Sequence, residues 1–289
     1  MSRLDGVNET GQAPATVIAA RTEDGACVEV HPNGAHVTSW RPAPGTEERL
    51  FLSTKSSLAD GASIRGGIPV IFPQFSMEGP LPRHGFARNS AWTLDYTRLD
   101  DGDAVISFSL RDSPATRAIW PAAFRASLTA RVRGQQLSTT LAIENTGSEP
   151  FHFAAALHTY LRVDDMRETE IIGLVGSRYR VSSAPRVLVT DAEQVLRIRG
   201  EVDRVYVDAP ERLIVREPHR QLVVSTTNFP DVVIWNPGVD RAAALADMEP
   251  GGERRMLCVE AAAVQRRITL DARQRWSGTQ VLTAEPRDQ

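Results

Sequence analysis

Residues 124–143 read F-R-A-S-L-T-A-R-V-R-G-Q-Q-L-S-T-T-L-A-I. Phe124, Ala126, Leu128, Ala130 and Val132 alternate without a break with Arg125, Ser127, Thr129, Arg131 and Arg133. A period of two puts one set on each face of an extended chain, so the run predicts a half-buried strand. Gly134-Gln135-Gln136 turns it into a second alternation at Leu137, Thr139, Leu141 and Ile143. Two such runs joined so tightly form a β-hairpin, the unit of antiparallel sheets.

The same texture extends outward. Downstream, short strand-like runs fall at 186–189, 195–199, 204–207, 213–216, 221–225 and 231–235, separated by turn residues at the spacing of sandwiches and barrels. Upstream, Cys27–His31 and 35–41 are joined by the turn signal H-P-N-G. A polar segment at 53–62 has room for one helical turn, and 241–248 is the convincing helical window. Residues 65–88 hold four prolines and four glycines yet are rich in Ile, Phe and Leu. They predict a rigid, partly buried loop rather than a helix or a central strand. The reading is an all-β fold of antiparallel strands, sandwich or barrel, with one domain over 16–289 behind a disordered polar tail at 1–15.

Composition narrows the function. Of 289 residues 42% are hydrophobic, enough for a sizeable core. The net charge of −3, from 33 basic and 36 acidic side chains, lacks the basic excess of a nucleic-acid binder. No apolar run approaches the length of a membrane span. Cys27 and Cys258 stand far apart in apolar contexts, as reduced core thiols do, with no zinc spacing near them. A cytoplasmic protein is the simplest expectation.

Two stretches carry the chemistry. Residues 151–163, F-H-F-A-A-A-L-H-T-Y-L-R-V, set His158 in an apolar strand, and 256–264, M-L-C-V-E-A-A-A-V, do the same for Glu260. Burying a carboxylate is costly unless it is paired or its pKa rises. Glu260 is therefore either bridged to an arginine across the sheet or poised as a general base. His158 is either a hydrogen-bonded core residue or a proton carrier. His152 shares its face but lies roughly 20 Å away along the strand, too far to share a metal. His31, at a turn, and His219 are expected to be solvated. Arg65, Arg83, His84 and Arg88 cluster in the proline-rich loop, and Asp203, just before a strand, reads locally as a turn residue. No G-x-S-x-G, P-loop or G-x-G-x-x-G occurs, and Gly66-Gly67 matches no phosphate loop.

Six segments, taken in order, resemble a known family. They are R-G-G-I-P-V-I-F-P-Q-F from Arg65, L-P-R-H-G-F-A-R from Leu81, A-L-H-T-Y-L-R-V from Ala156, E-V-D-R-V-Y from Glu201, W-N-P from Trp235 and C-V-E-A-A-A-V from Cys258. Together they resemble the hexose-6-phosphate mutarotases of the aldose 1-epimerase, or galactose mutarotase-like, superfamily, over about residues 25–282. The resemblance implies a large antiparallel β-sandwich, the supersandwich of that superfamily. It implies an isomerase acting on a hexose 6-phosphate, with His158 as general acid and Glu260 as general base on either side of the sugar. It also implies Arg65 and Arg88 around the substrate, part of this basic set serving the phosphate, and Asp203 on a sugar hydroxyl; Arg83 and His84, from the same loop, complete the expected substrate-binding set. No metal or cofactor is required, and a monomer is expected. Where the family usually has Gln, this chain has Arg83. Ser76 and Gly238 also depart from common family residues, Gly and an aromatic respectively. Other readings of the same residues are a mutarotase for neutral aldoses, a silent sugar-phosphate binder, and a glycosidase using Glu260 and Asp203.

Overall fold

The computed structural model describes residues 16–42, 47–181 and 184–286, so the tail expected at 1–15 lies outside the described residues. Its hairpin has Phe124–Arg133 antiparallel to Gln136–Asn145, with Leu128 opposite Leu141 and Arg133 opposite Gln136. Burial alternates along the first strand as the polarity does. Further strands extend this pair into a nine-stranded sheet. Beyond Phe124–Arg133 lie Asp103–Arg111 and Thr93–Asp100. Beyond Gln136–Asn145 lie Arg275–Pro286, Arg220–Thr227, Arg212–Arg216, Glu170–Ile172 and Val195–Leu196. The strands at 93–111 go beyond those read from the sequence, although Ile106, Phe108 and Leu110 alternate with Ser107, Ser109 and Arg111. Thr93–Asp100 is an edge strand exposed almost throughout, and Asp103–Arg111 is buried on both faces.

A second sheet runs in the order Ala184–Thr190, Arg178–Val181, Val202–Val207, Asp231–Asn236, Met256–Leu270, Phe151–Leu157 and Val70–Ile71, with Tyr160–Arg162 also paired to Met256–Leu270. A small third sheet holds Ile18–Arg21, Cys27–His31 and His36–Arg41. One continuous core draws on all three: Val28 and Trp40 from the small sheet, Phe108, Leu128 and Leu141 from the nine-stranded one, Phe153, Leu157 and Val259 from the other. This is a sandwich of antiparallel sheets. Along Met256–Leu270 the alternation decides what goes where. Leu257, Val259, Ala261 and Ala263 enter the core, while Cys258, Glu260, Ala262 and Val264 point to the sheet's other face.

The loop at 65–88 straddles the edge of this sheet, with Val70 and Phe72 in the core and Ile71 and Phe75 on that other face. Val70–Ile71 pairs with Phe151–Leu157. Phe72 is fully buried and meets Phe86, Trp120, Phe124 and Phe153 edge-on. Burying such a ring contributes about 1.5–3 kcal/mol, which offsets the cost of ordering the chain on either side. Gly66 and Gly67 have φ of 125° and 58°, and a Cβ on them would lie 2.3 Å from the Phe51 carbonyl oxygen and 2.2 Å from that of Val37. The glycine pair serves close backbone packing, which is why it fits no phosphate motif.

Several local expectations change. The helix forms at Gly238–Ala244, ahead of the 241–248 window, because Asn236 Oδ1 accepts the Gly238 N–H at 2.9 Å and the chain extends again at Leu245. A six-residue helix at Pro114–Ile119, too short for a periodic signal, is held by a Ser113–Thr116 capping box. Residues 53–62 form turns and no helix. His31 is buried rather than solvated, its Nδ1 accepting the Asn33 N–H at 3.1 Å. No described helix is long and apolar enough to cross a membrane.

Candidate active site

The strand Phe151–Leu157 stops one residue short of His158, and pairing with Met256–Leu270 resumes at Tyr160. Leu157 lies opposite Ala261 and Tyr160 opposite Cys258, so His158 falls opposite Glu260 across the break. The His158 N–H donates instead to the Pro69 carbonyl at 3.0 Å, tying the break to the proline-rich loop. His158 Nε2 lies 3.3 Å from Glu260 Oε1. The two are in direct contact on one sheet face, not separated by a gap the width of a sugar. Glu260 has therefore found neither solvent nor an arginine but the imidazole.

The rest of the imidazole is boxed in. It stacks on Tyr160 at 4.8 Å with 10° between the planes, and Trp235 and His84 approach its edges at 6.0 and 5.8 Å. Cys258 Sγ lies 3.6 Å from its Nδ1. Glu260 is 1% exposed, and its Oε2 has no hydrogen-bond partner among the described residues. Burial, with Asp203 adding to it, pushes the Glu260 carboxyl well above its ordinary range. Burial, then the neighbourhood of His84, Arg88 and Arg65, holds His158 well below its own. Both shifts favour the uncharged forms of the pair.

All seven residues singled out in the sequence line one cavity of about 230 Å³: Arg65, Arg83, His84, Arg88, His158, Asp203 and Glu260. Asp203 is not in a turn. It sits on Val202–Val207, paired with Trp235, one strand beyond the strand that neighbours Glu260. Arg65 donates to Tyr160 Oη at 3.0 Å and pairs with Asp247 at 3.1 Å. Arg88 donates to the Arg83 carbonyl oxygen at 3.4 Å, and its buried Nε has no partner among the described residues. Arg83 is exposed at the rim. His84 adopts a left-handed φ of 66°, its Nδ1 accepts the Ser76 N–H at 3.3 Å, and burial lowers its pKa to about 3, so it is neutral. A non-glycine residue held there marks a side chain whose direction the surroundings dictate.

The sequence reading missed Tyr160, Trp235, Arg241 and Asp247 as cavity residues. Tyr160 had a signal, lying two residues from His158 and hence on its face; Asp247 had none. His152 stays away from the cavity, bonded to Thr269 at 2.7 Å. A metal fits poorly. His158, Cys258 and Glu260 bring one donor atom each within 4.8 Å. However, burial raises the pKa of both the thiol and the carboxyl, which opposes the deprotonation a metal needs, and Arg65 and Arg88 face the same space.

Comparisons with known proteins agree with this fold. The sequence pattern described as aldose 1-epimerase matches residues 16–283. A protein of Cenchrus ciliaris, provisionally named glucose-6-phosphate 1-epimerase, is 36% identical over 270 residues, covering 90% of this chain and 82% of that one. One of Escherichia coli K12 with the same provisional name is 35% identical over 235 residues, covering 79% and 77%. The crystal structure of a provisionally assigned mutarotase from Salmonella typhimurium superposes with a TM-score of 0.85 at 27% identity, covering 94% of this chain and 90% of that one.

Proposed function

The chain belongs to the aldose 1-epimerase family, and from that premise we propose that it interconverts the α and β anomers of a hexose 6-phosphate, as a glucose-6-phosphate 1-epimerase, with His158 and Glu260 moving the protons. The observation that carries this reading is the 3.3 Å contact between His158 Nε2 and Glu260 Oε1, in a cavity that four arginines also line. The two oxygens that exchange protons in mutarotation are bonded to the same carbon. An acid and a base serving them have to be neighbours, as these are.

Transfer of the carboxyl proton from Glu260 to His158 gives the carboxylate–imidazolium form. Glu260 then takes the proton of the anomeric hydroxyl while His158 gives its own to the ring oxygen, and the C1–O5 bond breaks to leave the open aldehyde. Rotation about C1–C2 presents the other carbonyl face. The O5 hydroxyl attacks it, His158 takes back that proton and Glu260 returns the other to O1. Each transfer is worth about 10²–10⁴-fold. Arg65 and Arg88 are suited to the phosphate because the planar guanidinium can pair two oxygens at once. Arg83 adds a third cation at the rim, Asp203 is suited to accept from a sugar hydroxyl, and His84 offers Nε2–H to a substrate oxygen.

Every group in this reading comes from one chain, which supports a monomer as the working form. Two free, buried cysteines support a reducing, cytoplasmic setting. The test is exchange NMR of the anomeric protons with glucose 6-phosphate, galactose 6-phosphate and free glucose. The wild type should accelerate exchange of a 6-phosphate sugar most. Glu260→Gln and His158→Asn should each abolish that acceleration in folded protein. Full activity in either variant would rule the pair out.

A further inference from the structure

Cys258 takes no part in the chemistry above, yet it touches the imidazole on the side away from Glu260. Its Sγ lies 3.6 Å from His158 Nδ1 while Nε2 faces Glu260 Oε1 at 3.3 Å. The arrangement follows from the sheet. Cys258 and Glu260 are two apart on one strand and so share a face, and His158 sits across from Glu260. The ring, stacked on Tyr160, spans from one to the other.

Imidazole can both take and give a proton at Nε2 only while Nδ1 keeps its own, and the hydrogen bond at Nδ1 decides which tautomer is held. A buried N–H needs an acceptor. Among the described residues the hydrogen-bond partner of Nδ1 is the Cys258 sulfur. A carboxylate in that place would stabilise the imidazolium and make it a weaker acid. A thiol adds no charge. Burial, together with Glu260 beside it, keeps Cys258 well above its ordinary range and therefore neutral.

We propose that Cys258 is a positioning residue: its sulfur accepts the Nδ1–H of His158 and holds the neutral imidazole in the tautomer whose Nε2 lone pair faces Glu260 and the cavity. The thiol stays a thiol throughout, and no bond to sulfur forms or breaks. The kinetic part of this inference rests on the mutarotase reading; the tautomer itself does not.

The experiment uses the full chain with ¹⁵N-labelled histidine, the His158 signals being identified by their loss in His158→Asn. In the wild type at neutral pH, Nδ1 should carry the proton and Nε2 should not. Cys258→Ala and the bulkier Cys258→Val both remove the acceptor. In either, the signals should shift towards the Nε2–H tautomer, and kcat for anomer exchange should fall at least about tenfold with little change in KM. Cys258→Ser keeps an acceptor and should restore the wild-type tautomer and most of kcat. A wild-type spectrum with the proton on Nε2 overturns the proposal without any variant. So does an unchanged tautomer in the Ala or Val protein, whatever its rate. The expected tautomers in a wild type that accelerates no anomer exchange would instead overturn the mutarotase reading and leave the placement of Cys258 standing.

Discussion

Gln280 reaches across the core from the nine-stranded sheet to Thr159, at the break beside His158. Thr159 Oγ1 donates to Gln280 Oε1, and Gln280 Nε2 donates to the Val259 carbonyl oxygen at 2.9 Å. Both side chains are buried. An interrupted ladder strands backbone groups that would otherwise pair strand to strand, and a buried amide from the facing sheet supplies what is missing. The back of the candidate site is therefore held by the nine-stranded sheet, not only by its own.

Gln280→Leu should expose this dependence. The Val259 carbonyl and the Thr159 hydroxyl would each lose a partner in a buried place, which costs about 1–3 kcal/mol per group. Urea unfolding should show a loss in that range, and anomer exchange should lose kcat more than KM. Unchanged stability would mean that water or a local shift replaces the amide.

Glu260→Gln should end catalysis, by about 100-fold or more, and yet stabilise the fold at neutral pH. The carboxyl pKa is raised in the folded state, so the folded protein keeps this proton after the unfolded chain has lost it. Stability is then lost as pH rises above the ordinary value of 4.5, by about 1.4 kcal/mol per pH unit until the raised value is reached. Glutamine has no such window. Urea melts of the two proteins should diverge as pH rises, and parallel curves would contradict the buried carboxyl.

Acid should weaken the protein from the opposite direction. His36 is fully buried, with Nε2 2.7 Å from the Gly66 carbonyl oxygen, and burial lowers its pKa from 6.5 to about 4. Between those values the unfolded chain takes up a proton that the folded one refuses. Stability therefore falls by about 1.4 kcal/mol per pH unit as pH drops through that window. Thermal melts of His36→Gln between pH 7 and 4.5 should be flatter than the wild type by this amount.

Arg88→Ala should separate phosphate binding from sugar binding. A charge-assisted hydrogen bond is worth about 1.5–3 kcal/mol, so KM for a 6-phosphorylated hexose should rise about ten- to hundredfold while the neutral sugar is little affected. Arg83→Ala, at the exposed rim, should change it only a few-fold. Equal effects of Arg88→Ala on both sugars would remove the arginine from the phosphate.

The sequence alone determined that the chain is built from antiparallel strands, because alternation at 124–132 and 137–143 leaves one face to bury and one to solvate. It also marked His158 and Glu260, since an ionisable side chain inside an apolar strand is costly without a purpose. What it left open was contact. Whether Glu260 meets an arginine or His158 depends on which strand lies beside Met256–Leu270 and in what register, and register is set by pairings between distant segments. Asp247 beside Arg65, Cys258 at the back of the imidazole and Gln280 behind Thr159 belong to the same class. Each is a relation between strands or loops far apart in the chain, which no local pattern encodes and only the packed sheets decide.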